Sequence, residues 1–240
     1  MIGIALHSMA WTAPLLSAPE ILFKIDQNLT SANLLSVSSF TIHGSRSTRT
    51  IKAKSWIQGA HRSFTEYLSP PREKGNKMLK LDDNLWIYYP NADRVIKIAG
   101  HMLRQSVMGS DLSYEDMMEN NKLHEAYQAT IQKTDTFLDR PCWVMSLQAK
   151  QPDQAYSTRK VWVDQERFIT LKQELFAKSG KLLKRVEMRE VFLVKDRWYP
   201  KRLLFKDILK KGEGTEVLIH TIEFDVDIPP SRFSKASLRR

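Results

Sequence analysis

The chain of 240 residues is 42% hydrophobic, 27% charged and 10% aromatic, which excludes disordered and fibrous material and leaves an ordinary globular chain able to bury a core. Lys and Arg number 37 against 27 Asp and Glu, and the net charge of +10 favours anionic neighbours, phospholipid headgroups or nucleic acid, without choosing between them. The single cysteine, Cys142, excludes an internal disulfide framework and a thiolate zinc site.

Met1 to Ala18 carry no Lys, Arg, Asp or Glu, and Glu20 opens a normally charged sequence. The run is interrupted by His7, Ser8, Thr12, Pro14 and Ser17, so a secretory signal fits it better than a spanning helix. A basic n-region is missing, since no Lys or Arg precedes Lys24; a start further upstream would supply one. Ser8 and Ala10 offer a small-x-small cleavage site. An apolar N-terminal helix of a cytosolic protein is the plainer alternative. No later stretch is apolar enough to span a membrane, and no cysteine follows the leader as a lipid attachment site. With no Gly/Ser or Pro-rich linker, residues 19–240 read as one domain behind a leader over 1–18.

Leu22, Ile25, Leu29 and Ala32 recur at helical spacing and predict one amphipathic helix from Glu20 to Leu35. The period then changes to two, Ile51, Ala53, Ser55 and Ile57 alternating with Thr50, Lys52, Lys54 and Trp56. Further strands are predicted over 61–68, 77–81, 85–89, 94–98, 125–133, 142–149, 156–163, 168–176, 182–194, 198–209 and 215–225, with turn chemistry between them. Short spacing implies antiparallel pairing. Ser113 with Asp116 starts a short helix from Tyr114 to about Asn120, and Phe233 to Leu238 form a final turn after Pro229 and Pro230. Some ten or more strands with one substantial helix describe a large antiparallel sheet that must curl round something, and the helix is its natural plug.

Catalytic constellations are absent from the sequence. The six histidines form no HxxxH pair, and there is no GxSxG elbow, Walker loop or GxGxxG, so neither an enzyme nor a cofactor is expected. Ser110 between Gly109 and Asp111 reads as a polar turn, Cys142 as a small buried hydrophobe, and Glu223, Asp225 and Asp227 as solvated sheet surface. Lys195 to Lys211 hold seven Lys and Arg against two Asp, with Trp198, Tyr199 and Phe205 interleaved. That composition suits a nucleic-acid binder, an interfacial membrane surface, or a solvated strand with its aromatic side chains in the core. An exported chain would not meet nucleic acid as a resident partner.

Several stretches carry a resemblance. Lys74, Gly75, Asn76, Lys77, Met78, Leu79, Lys80, Leu81 leading into Leu85, Trp86, Ile87, Tyr88, Tyr89, Pro90 resembles the K-G-x-x-x-L-K…L-W-x-Y-x-P block of the LolA-like outer-membrane lipoprotein-sorting family. Met108, Gly109, Ser110, Asp111 with Ser113, Tyr114, Glu115, Asp116 resembles that family's M-G-S-D-x-S-Y-E-D segment. Arg49, Thr50, Trp56, Gly59, Phe233, Ser234 and Leu238 match in order, so the likeness runs over roughly 21–239.

The resemblance implies a mainly β fold, a half-open antiparallel β-barrel with a helical lid or plug. It further implies a periplasmic carrier that shields the acyl chains of a lipoprotein or lipid in a hydrophobic cavity on the way toward the outer membrane. A non-transporting sensor or an accessory module of an envelope exporter is the alternative use of the fold. Partners implied are the acylated cargo, inner- and outer-membrane transport components and an anionic membrane surface, with no nucleic acid. Expected to line the cavity are Leu22, Ile25, Leu29, Trp56, Trp86 and Tyr88; Arg49, with Arg46 as alternate, is the expected lid latch. The helix over 20–35 is expected to form part of the lid, with Asp111 to Asn120 as the alternative.

Overall fold

A computed structural model describes residues 16–119 and 122–240. Most of the leader predicted over 1–18, and the predicted helix end at Asn120, lie outside the described residues. Among the described residues no helix is long and apolar enough to cross a membrane.

The first helix, α1, spans Ala18–Leu29 and ends six residues earlier than predicted. Its start is set by Ser17, whose N–H donates to Glu20 Oε2 at 2.8 Å, and by Pro19 in the first turn. Thr30 closes it, its N–H donating to the Asp26 carbonyl at 2.9 Å and its hydroxyl at 2.7 Å. Ala32, predicted on the helical stripe, therefore lies beyond the helix. The following strand β1, Asn33–His43, was not predicted, because its serines hide the alternation of Leu34 with Phe40 and Ile42.

Strands β2 (Thr48–Gln58), β3 (Arg62–Ser69), β4 (Lys77–Leu81), β5 (Asn84–Tyr89) and β6 (Arg94–Ile98) continue as a meander from β1. Short turns of 3₁₀ helix over Gly100–Arg104 and Val107–Gly109 follow, then helices α2 (Tyr114–Met118) and α3 (Leu123–Ala126). Thus α3 takes the start of the strand predicted from Glu125. A second meander holds β7 (Tyr127–Phe137), β8 (Arg140–Ala149), β9 (Thr158–Asp164), β10 (Thr170–Phe176), β11 (Leu182–Val194), β12 (Arg197–Asp207) and β13 (Gly214–Phe224). All pairings are antiparallel, and β1 joins the two meanders by pairing with both β2 and β13. The result is one sheet of thirteen strands in the order β6-β5-β4-β3-β2-β1-β13-β12-β11-β10-β9-β8-β7. β6 and β7 are its edges and do not pair with each other, so the barrel is half open.

Register assigns the two faces. Phe40 pairs with Ile51, Ser38 with Ala53, Ala53 with Tyr67, Thr65 with Met78, and Met78 with Ile87, so these side chains share one face. Val161 and Met145, paired on β9 and β8, share that face in the second meander and receive α1. Both α1 and the stretch after β6 pack here, which makes it the inner face of the curled sheet. Ile21, Leu22 and Ile25 of α1 keep at most 1% exposure against Met145, Leu147, Val161 and Val163. The helix is a plug on the second meander. Phe64, Leu79 and Trp86 point to the opposite, outer face, which the C-terminal residues Ile228, Phe233 and Leu238 cover.

Candidate functional site

The chain leaves the sheet at the β6 edge and re-enters it at the β7 edge, so the stretch 99–119 crosses the inner face of the first meander. Its apolar side chains, Met102, Leu103, Val107, Met108, Tyr114 and Met117, pack on Ile42, Ile51, Tyr67, Met78 and Ile87. Beneath Met108 and Met117 an apolar pocket bounded by Phe40, Ile51 and Tyr67 is nearly filled. Methionine is flexible and polarisable, and repacks around changing contents more easily than branched side chains.

Polar bonds from six strands fasten this stretch. On β2, Arg49 donates to the Met108 carbonyl. On β4, Lys80, 4% exposed, donates to the carbonyls of Met118 at 2.7 Å and Ala60 at 3.0 Å. Burial pulls the Lys80 ammonium down to about 8, and Asp83 and Asp82 draw it back only in part. On β11, Lys184 donates to Asp116 Oδ2 and to Ser113 Oγ, the latter at 3.2 Å, and from the β8–β9 turn Tyr156 donates to Asp116 Oδ1. On β9, Arg159 is 5% exposed and lies between the rings of Tyr127 and Tyr156, 4.7 and 5.4 Å from their centroids. Its Nη2 meets the Glu119 carboxylate as a close ion pair without hydrogen-bond geometry, and its Nε has no hydrogen-bond partner. Thr215 of β13 donates to Asp111 Oδ2 at 2.8 Å, and the Asp207 N–H of β12 donates to Asp111 Oδ1 at 3.0 Å.

A cleft of about 820 Å³ opens where this stretch meets the turns β8–β9 and β10–β11 and the end of β12. Arg104, Ser106, Glu115, Lys150, Tyr156 and Lys184 are among its walls, so it reaches the buried Lys184 that pairs with Asp116, with Arg159 behind the Tyr156 ring. The apolar pocket and the cleft are both lined by the same crossing stretch.

The residues singled out in the sequence divide between two faces. Leu22, Ile25 and the partly buried Leu29 lie on the inner face with the second meander. Trp56, Trp86 and Tyr88 lie on the outer face with Phe64 and the C-terminal turns, so the six do not line one cavity. The parity of β5 decides this: Leu85 and Ile87 point inward, and the bulky alternation Leu85, Trp86, Ile87, Tyr88 is ambiguous without its neighbours. Both arginines are exposed; Arg49 reaches the crossing stretch through the Met108 carbonyl, whereas Arg46 lies in the β1–β2 turn. Lys80, Arg159 and Lys184 escaped sequence reading, because a lysine or arginine inside an alternating strand looks like a solvated position.

Each outer aromatic is faced by cations. Lys54 and Arg232 lie over Trp56 at 5.0 and 4.5 Å, Lys97 and Lys235 over Trp86 at 6.0 and 4.4 Å, and Lys77 over Tyr88 at 5.9 Å. By contrast, the basic run over 195–211 is spent on structure. Arg202 bridges Glu190 and Glu216, both at 2.7 Å, Arg197 donates to the Thr30 carbonyl, and Arg167 of the β9–β10 turn stacks on Trp198. Cys142 is fully buried, and burial pushes its thiol up to about 11. No group of three or more His, Cys, Asp and Glu stands together as a metal site among the described residues.

The fold matches solved structures over nearly its whole length. A DUF1329 family protein from Desulfovibrio piger superposes with a TM-score of 0.84 at 21% identity, over 92% of this chain and 97% of that one. A domain named for outer membrane lipoprotein sorting, from Vibrio parahaemolyticus, gives 0.80 at 21% identity over 93% and 98%. A LolA superfamily protein from Nitrosomonas europaea gives 0.77 at 21% identity over 93% and 100%. No curated protein matches the chain in sequence. A protein-family model described as an uncharacterized protein matches residues 59–240, well over half the chain. The chain belongs to that family, and its fold is the LolA-like half-open barrel.

Proposed function

We propose that the protein is a periplasmic carrier that holds the acyl chains of a lipoprotein or lipid between the inner face of its first meander and the stretch 99–119. The observation that carries this reading is the methionine-rich stretch lying on an apolar sheet face and fastened to it by polar bonds. Each CH₂ removed from water is worth about 0.8 kcal/mol, so acyl chains cannot leave a membrane at useful rates without such a surface to receive them. In the closed state Met108 and Met117 occupy that surface. An entering chain of comparable apolar area replaces their contacts, and opening then costs chiefly the polar latches. Arg49 is the latch at the centre of the stretch and Lys80 the latch at its end. The likeness in fold to a domain named for lipoprotein sorting supports the same reading.

The test is the mass spectrum of an organic extract of protein purified without detergent. An acylated molecule at near-stoichiometric amount is expected. Clean protein that also fails to bind a neutral apolar dye would overturn the reading.

A further inference from the structure

Three cations lie buried on the inner face: Lys80, Arg159 and Lys184, each less than 10% exposed. Among the described residues, none of them is ion-paired to a carboxylate of the sheet. Lys184 pairs with Asp116, Arg159 with Glu119, and Lys80 rests on the carbonyls of Met118 and Ala60. Asp207, on the rim of the cleft, accepts the Leu209 N–H at 2.9 Å and makes no ion pair with Lys184. The sheet therefore supplies the positive charge and the crossing stretch the negative charge. A cation left unpaired in such a place is costly, so the stretch can leave only if another anion takes the place of its carboxylates.

The place is already shaped to receive one. Lys184 and Tyr156 line the cleft, Ser113 Oγ is in bonding distance of Lys184, and the Nε donor of Arg159 is unfilled. The apolar pocket under Met108 and Met117 and this cleft, with Lys184, Lys150, Arg104 and Glu115 among its walls, both border the stretch, an arrangement that offers a tail and a charged head separate places.

We propose that the cargo is an anionic amphiphile whose charged headgroup binds Arg159 and Lys184, the sites that Asp116 and Glu119 occupy in the closed protein. The proposal rests on the carrier reading and adds the headgroup to it. Phosphate, sulfate and carboxylate heads share the chemistry: each offers oxygens to a guanidinium and an ammonium.

Displacement of the neutral dye N-phenylnaphthylamine tests it, with hexadecyl phosphate and the uncharged hexadecyl maltoside as competitors of equal chain length. Hexadecyl phosphate is expected to displace the dye at a concentration about tenfold lower, the ratio that one added charge-assisted bond supplies. Glu119→Gln removes a competing carboxylate and should widen that ratio, a change that a purely structural Glu119 would not produce. Lys184→Gln should bring the ratio close to one; its folding is checked by circular dichroism, and Glu119→Gln carries the test if it misfolds. Inorganic phosphate at millimolar concentration should leave the ratio unchanged, and if it abolishes the preference the site takes free anions and the proposal falls. Equal displacement by both amphiphiles, unaltered in Glu119→Gln, overturns the proposal while the carrier reading stands. If no dye binds and neither amphiphile does, the carrier reading fails and the proposal with it.

Discussion

The bond from Arg49 to the Met108 carbonyl depends on its neighbour Gly109. Gly109 sits at φ +73°, where a side chain is strained, and a Cβ added there would lie 2.9 Å from Arg49 Nη2. Gly109→Ala should therefore cost about 1 kcal/mol for its backbone and also push Arg49 off the Met108 carbonyl. Hydrogen exchange is the measurement: amides over 99–119 should exchange faster in Gly109→Ala and in Arg49→Gln, with the strands still protected. Lys80 gives a pH signature of its own. Burial lowers its folded value to about 8 from an ordinary 10.5, so between those values the unfolded chain holds a proton that the folded chain has shed. Stability contributed by this group is accordingly lowest below about 8 and rises as pH climbs toward 10.5. Urea midpoints at pH 7.5 and 10 should show that rise in the parent, set against other titrating groups, and a smaller one in Lys80→Met.

At the scale of elements, α1 and the stretch 99–119 share the inner face, and the stretch adds polar fastenings to its packing. Helix α1 is held by packing: Ile21, Leu22 and Ile25 are buried against β7, β8 and β9, while Leu29 is only partly covered. Ile25→Ala should cost about 2–5 kcal/mol, and the loss should appear as a cooperative shift of the urea transition. Leu29→Ala should cost distinctly less. The crossing stretch is packed through Val107, Tyr114 and its methionines and is also fastened by polar groups from six strands. Asp26 ties the two together, accepting the N–H groups of Leu123 and His124 at 3.0 Å each and His124 Nδ1 at 2.6 Å. The start of α3 is thereby anchored to α1.

Over the whole molecule, the two apolar faces are covered differently: the inner one by α1 and the stretch 99–119, the outer one by the C-terminal turns and a cover of cations. Trp56, Trp86 and Tyr88 under Lys54, Lys77, Lys97, Arg232 and Lys235 form a basic, aromatic surface, the composition by which the proposed carrier would approach an anionic bilayer. Sedimentation with vesicles should show binding to phosphatidylglycerol-containing vesicles that weakens with salt and little binding to phosphatidylcholine alone. The combined change Lys97→Glu and Lys235→Glu should reduce it without unfolding the sheet. The strand pattern was legible in the sequence because alternation and turn chemistry are local: β4, β6 and β11 have the bounds predicted for them, and α2 begins at the predicted capping serine. Strand β1 was not, since Ser36, Ser38 and Ser39 in a strand paired on both sides break the apolar alternation. Local sequence thus determined the antiparallel class, the early helix and the capped turn that starts α2. Only the tertiary structure decided which side of each strand faces inward, because that depends on register with neighbours distant in sequence. It also decided that Arg159 and Lys184, ordinary surface residues to the eye, are buried ions whose counter-charges arrive from another part of the chain.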